Sequence, residues 1–104
     1  MTLNDYQQLA GRTLAGGQDL RLAALGIAGE AGEVCDIIKK NSYHGHELDR
    51  DALIKELGDV LWYLAAAATL LDVELAEIGE KNISKLRARY PEGFSSEASI
   101  NRKD

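Results

Sequence analysis

With 104 residues, 45% of them hydrophobic and 28% charged, the chain is sized for one hydrophobic core and too apolar for wholesale disorder. Seventeen acids against twelve bases leave a formal charge of -5, which argues against a nucleic-acid polymer bound through a broad basic face. The one cysteine, Cys35, excludes an intrachain disulfide and a cysteine-rich zinc site and suits a reducing, cytoplasmic setting.

The opening segment MTLNDYQQLAGRT has neither the basic start nor the apolar core of a secretory signal, so it is expected to belong to the fold. Apolar residues recur at three- and four-residue steps and strand-like alternation is missing, which predicts an all-α protein. A first helix is expected from about Asn4 to Leu14, ended by Gly16 and Gly17. A second runs from about Asp19 to Asn41 and a third from about Asp49 to Leu71, joined by Ser42-Tyr43-His44-Gly45-His46. A fourth spans about Val73 to Arg89, and Pro91 with Gly93 stops it. Four helices imply a four-helix-bundle-type fold over residues 1–94 as a single domain, with residues 95–104 a flexible tail. The longest apolar stretch, Val60 to Leu71, is too short to cross a bilayer, so no membrane role is expected.

Four acids stand where a solvated helix would not put them. Glu30 and Glu33, at i and i+3, fall in the sector of Leu22, Ala23, Gly26, Ile27, Val34 and Ile37. Glu56 and Asp59 repeat the spacing among Ala52, Val60, Tyr63 and Leu70. Antiparallel neighbours joined by a short loop bring the two pairs to similar heights. Ionised carboxylates crowded in a half-buried space need a cation in place of lost water. All-oxygen ligation favours a hard ion, Mg2+ or Mn2+, over a dedicated calcium cage. Asp36 lies at the edge of this sector and is read as an acid behind the ligands, whereas His44 and His46, which flank a loop glycine, and Cys35, which has no neighbouring base, are not assigned to the site. Gly26, Gly29 and Gly32 each weaken a helix by about 1 kcal/mol relative to alanine, which suits either close helix packing or close approach of a phosphate.

Helix four carries the opposite sign. Asn82, Lys85 and Arg89 share a face with Leu75, Ile78 and Leu86. Two readings are open: stems laid on apolar surface with heads in water, or donors for a metal-bound polyphosphate.

The strings GEAGEVCDIIKK and KELGDVLWYLAAAA resemble the MazG-like family of the all-α nucleoside triphosphate pyrophosphohydrolases, with its paired acids ExxE on one helix and ExxD on the next. NISKLRARYPEGF is similar to a later segment of that family, so the resemblance runs from about Leu22 to Phe94. It implies hydrolysis of a nucleoside or deoxynucleoside triphosphate to the monophosphate and pyrophosphate, in the service of nucleotide-pool control. Glu30, Glu33, Glu56 and Asp59 would bind Mg2+, with Mn2+ able to substitute. Lys85 and Arg89 would contact phosphate and stabilise the leaving pyrophosphate, and Asn82 and Tyr63 would contact the ligand. Glu33, placed between the two pairs, is the candidate base. Many relatives carry a further Glu where this chain has Gly29, so no role for that acid transfers. The resemblance also implies a homodimer or homotetramer, in keeping with the stripe Leu57, Leu61, Leu64, Ala68 and Leu71 on helix three. The alternatives are a hydrolase of another nucleotide, of the dUTP/dUDP or phosphoribosyl-ATP type, or a non-catalytic helical oligomerisation module.

Overall fold

The computed structural model describes residues 1–102, and every expected helix is present in the expected order. Thr2 starts α1 (Leu3–Ala10) with a reciprocal cap: its hydroxyl accepts from the Asp5 amide and the Asp5 carboxylate accepts from the Thr2 amide, both at 3.0 Å. A 3-10 turn, Gly11–Thr13, follows, so the first helix is shorter than its periodicity predicts. Asp19 caps α2 (Leu20–Tyr43) through the Arg21 amide, and Asp49 caps α3 (Arg50–Leu70) through the Ala52 amide.

Between α3 and α4 (Leu75–Arg89) the chain turns within four residues. Asp72 takes the left-handed backbone (φ 57°), Val73 N–H returns to Ala68 O at 2.9 Å, and the helix is sealed. The tail contains a one-turn helix, α5 (Ser96–Ile100), where a loose segment was expected; Lys103 and Asp104 lie outside the described residues. None of the helices among the described residues is long and apolar enough to cross a membrane.

The N-terminus of α4 takes its cap from another helix, because Glu74 at the cap position makes no side-chain bond of that kind. Gln7 of α1 accepts from the Leu75 amide at 2.6 Å and donates to Val73 O at 2.9 Å and Thr69 Oγ1 at 3.2 Å. Asn4 accepts from the Ala76 amide at 3.0 Å and donates to Glu74. At the other end of α1, the Trp62 indole of α3 donates to Thr13 Oγ1 at 2.9 Å and Ala10 O at 3.2 Å. These bonds fix α1 along the C-terminal half of α3 and at the start of α4. Gln7→Ala should therefore cost more than an ordinary cap, about 2 kcal/mol, since it strands the Leu75 amide and the Val73 carbonyl together in a half-buried corner. Urea melts of Gln7→Ala against Asn4→Ala test this; equal, negligible losses would mean that water replaces the cap.

The core is small. Ala65, Ala68 and Leu75 are its buried centre, with Tyr6, Ala10, Leu61 and Val73 packed around them. α2 and α3 pair along their length, while α4 packs on α1 and α3. The radius of gyration is 16.7 Å, against about 13 Å for a compact chain of this size. The bundle is thus open on the faces of α2, α3 and α4 that carry exposed leucines and isoleucines.

Candidate metal centre

The α2–α3 hairpin sets the site by its register. Tyr63 of α3 lies over Gly26 of α2, and one turn further along α2 Glu30 meets Glu56 and Asp59. A methyl group at Gly26 would collide with the Tyr63 ring, whereas Gly29 and Gly32 have open space around them. Close helix packing is therefore the reason for Gly26 and not for the other two. Gly26→Ala should destabilise by about 1–3 kcal/mol through overpacking. Gly29→Ala and Gly32→Ala should be neutral or gain up to about 1 kcal/mol of helix propensity. Chemical denaturation compares the three, and a loss at Gly29 or Gly32 would mean that a second chain or a ligand fills that space.

One carboxylate oxygen from each of Glu30, Glu56 and Asp59 lies within 4.8 Å of the other two. Glu30 and Glu56 are half-buried and Asp59 is exposed, so the group opens to solvent on one side. Glu56 is its centre. Oε2 of Glu56 is shut off from solvent with no hydrogen-bond partner, an arrangement that is costly unless something else satisfies that oxygen. The Glu56 carboxyl is held above the usual glutamate range, first by the hydrogen bond it shares with Glu30, then by burial, then by the negative charges of Glu30, Asp59 and Glu33. Each of these influences opposes a negative charge on Glu56. The donor set is all oxygen, clustered and partly dehydrated, and it fits a hard divalent ion.

The remaining residues singled out from the sequence are placed as follows. Glu33 is exposed, one turn along α2 and outside the group of three, where its charge acts on both Glu56 and Lys40. Tyr63 is half-buried beside the acids, edge-on to Trp62 with ring centroids 4.9 Å apart. Asp36 pairs with Lys40 at 2.8 Å and Lys39 at 3.4 Å along its own helix, which lowers its carboxyl below the usual aspartate range. His44, His46 and Cys35 are exposed.

On α4 the packed residues are Leu75, Ala76 and Gly79, while Ile78 and Leu86 are 40% and 37% exposed. The face shared by Asn82 and Lys85 is consequently open to solvent within one chain. Asn82 lines a shallow groove of about 590 Å³ with Leu3, Gly79 and Ile83, and Arg89 stands at the far end, half-buried beside Tyr90. The packing of one chain gathers three of the acids and leaves the α4 residues on a helix docked elsewhere.

Tyr6 and Gln7 carry no site signal in the sequence, and nothing in it shows that Trp62 holds the first helix. Gln7 and Trp62 secure α1, and the Tyr6 phenol is raised above its ordinary value by burial and by the charge of Asp59, which puts α1 at the edge of the acid cluster. NDYQ carries no local signal for this, because the partners are more than fifty residues away.

The profile of the MazG nucleotide pyrophosphohydrolase domain matches residues 18–94 of the chain, a span that contains the hairpin, all four paired acids and the whole of α4. The chain therefore belongs to the MazG nucleotide pyrophosphohydrolase family. It is similar to the "Gene 37 protein" of Mycobacterium phage L5, 37% identical over 89 residues that cover 82% of this chain and 78% of the phage protein. No solved structure matches it.

Proposed function

We propose that the protein hydrolyses nucleoside or deoxynucleoside triphosphates to the monophosphate and pyrophosphate, and so acts in nucleotide-pool control in the cytoplasm. The observation that carries this is the group of three carboxylates around Glu56, with its unpartnered buried oxygen, inside the span that matches the family. Glu30, Glu56 and Asp59 would hold Mg2+, or Mn2+ in its place, with Glu33 at the rim as a further ligand. When bound, the cation supplies a Lewis acid that acidifies water and neutralises phosphate charge.

The chain's own groups do the rest. Glu33, exposed and close enough for its charge to act on the cluster, takes the proton from the attacking water. Lys85 and Arg89 balance charge on the leaving pyrophosphate, Asn82 binds the phosphates, and Tyr63 offers a ring face beside the acids to the nucleotide. The open α4 face suits a homodimer or homotetramer in which a second copy brings its cationic helix toward the acids. The test is a nucleotide panel with Mg2+ that separates pyrophosphate from single-phosphate release. Pyrophosphate release with Mg2+ or Mn2+, poor activity with Ca2+, and none in excess chelator are expected. Full turnover in chelator, or inertness toward every nucleotide, would overturn the proposal. Preference for dUTP, or for a phosphoribosylated nucleotide, would keep the chemistry and change the substrate.

A further inference from the structure

Adjacent residues on a helix point about 100° apart and do not ordinarily face each other. Trp62 and Tyr63 of α3 nevertheless bring their rings together, with centroids 4.9 Å apart and planes at 86°, the edge-to-face arrangement that aromatic pairs favour. Each ring is held there from outside α3. The Trp62 indole turns toward the end of α1, where it donates to Thr13 Oγ1 at 2.9 Å and to Ala10 O at 3.2 Å. It shares a small recess there with Gly11, Leu14 and Ala66. The Tyr63 ring turns toward α2, where the bare backbone of Gly26 lets one ring edge lie against the helix.

These contacts run as a chain from α1 to the acids. Thr13 and Ala10 fix the indole, the indole fixes one side of the Tyr63 ring, and Gly26 fixes another. Tyr63 follows Asp59 by one helical turn and is half-buried, so part of its ring reaches solvent beside the group formed by Glu30, Glu56 and Asp59. A ring already clamped on two sides gives up little rotational freedom when a ligand settles on it, whereas a loose one must be ordered at the moment of binding.

We propose that Trp62 is a positioning residue, which holds the Tyr63 ring in place for the nucleoside end of the substrate and through which α1 shapes the site. This rests on the assignment of Tyr63 to the nucleotide made above. Losing an edge-to-face pair, or having to immobilise one aromatic side chain on binding, weakens association about two- to tenfold. Because Trp62 acts through Tyr63, that loss falls on ligands with a base and sugar and spares base-free polyphosphates. A residue that merely anchored α1 would lower stability and affect every ligand alike.

The test uses the full chain, the best-hydrolysed nucleotide of the Mg2+ panel, and inorganic tripolyphosphate as a base-free inhibitor. Trp62→Leu deletes the indole bonds and the ring pair together. It should raise KM about three- to tenfold, with kcat and the tripolyphosphate inhibition constant little changed. An unchanged KM, or a tripolyphosphate constant that rises in step with it, would overturn the proposal and leave Trp62 as an anchor for α1. If Trp62→Leu does not fold, Thr13 decides. Thr13 is exposed, so Thr13→Val removes the shorter indole bond and leaves both rings in place, while Thr13→Ser keeps the acceptor. The fluorescence anisotropy of Trp62, the sole tryptophan, should fall in Thr13→Val and KM should rise about twofold or more, and Thr13→Ser should match the unsubstituted protein. Equal behaviour of the two variants would overturn the proposal. Tyr63→Leu separates the two ideas. If it leaves KM unchanged, or if no nucleotide is turned over at all, the Tyr63 assignment fails and takes the Trp62 proposal with it. If it raises KM while folded Trp62→Leu does not, the Trp62 proposal alone fails.

Discussion

Glu56→Gln should abolish nucleotide hydrolysis and yet melt at a higher temperature than the unsubstituted protein when both are held in chelator at neutral pH. Glu56 is the acid the fold places worst: one oxygen is buried without a partner and the carboxyl is raised above its usual range by Glu30, by burial and by the surrounding negative charge. Glutamine keeps a donor toward Glu30 and removes the charge. The sign follows from linkage. A carboxyl whose folded-state pKa is raised stabilises the fold fully below the ordinary glutamate value, about 4.3, and that contribution is lost as the pH rises through the shifted value. In chelator, the gap in melting temperature between Glu56→Gln and the unsubstituted protein should therefore widen in favour of the variant as the pH is raised from acid to neutral.

Added Mg2+ should reverse the order at neutral pH, because a ligand stabilises in proportion to its binding to the native state, and the variant lacks the central ligand. Losing a partner of a metal ligand already weakens metal affinity or activity about 10–100-fold, and loss of the ligand itself should exceed that. Thermal melts of both proteins across a Mg2+ titration, at fixed protein concentration, give the comparison. A variant less stable than its parent in chelator, or stabilised equally by Mg2+, would make Glu56 a structural residue and leave the acid group without its metal argument.

Leu57→Glu with Leu64→Glu should convert the protein from an oligomer into a poorly folded monomer. Ile54, Leu57, Leu61, Leu64, Ala68 and Leu71 recur along α3 at alternating three- and four-residue steps, the spacing of a helix-to-helix seam. The interior uses only part of it: Ala68 is buried, while Ile54, Leu57, Leu64 and Leu71 are 52%, 51%, 38% and 53% exposed. Burying a leucine is worth about 1.5–3 kcal/mol, and net stabilities of whole domains are only about 5–15 kcal/mol, so this stripe can decide whether the chain folds. Sedimentation and melts at several protein concentrations test it. The unsubstituted protein should show a melting temperature that rises with concentration, and the double variant should not. A monomeric parent with a concentration-independent melt would mean that the small core around Ala65, Ala68 and Leu75 is sufficient.

The all-α class, the order of the helices and the meeting of Glu30 with Glu56 and Asp59 were legible in the sequence, because each depends on periodicity within one helix or on the pairing of two helices joined by a short loop. The same periodicity overextended the first helix, and it left α5 unseen, since five residues between Ser95 and Asn101 leave no repeat to read.

What the sequence determined by itself was therefore chemistry and helical phase: which residue types are present, on which face, and at what spacing. Tertiary structure decided which of those faces meet. Phase places Glu33 with Glu30, yet the hairpin register puts Glu56 at the centre and Glu33 at the exposed rim. Phase places Asn82 and Lys85 on an apolar face, yet α4 is capped and held by Asn4 and Gln7 from the far end of the chain, and that face stays open. Gly26, Gly29 and Gly32 look alike in sequence, and only the Tyr63 ring distinguishes the first from the others. The reason is common to all three cases. Local spacing fixes a side chain's direction relative to its own helix axis, whereas its neighbours are set by contacts between residues far apart in the chain, which no window of sequence contains.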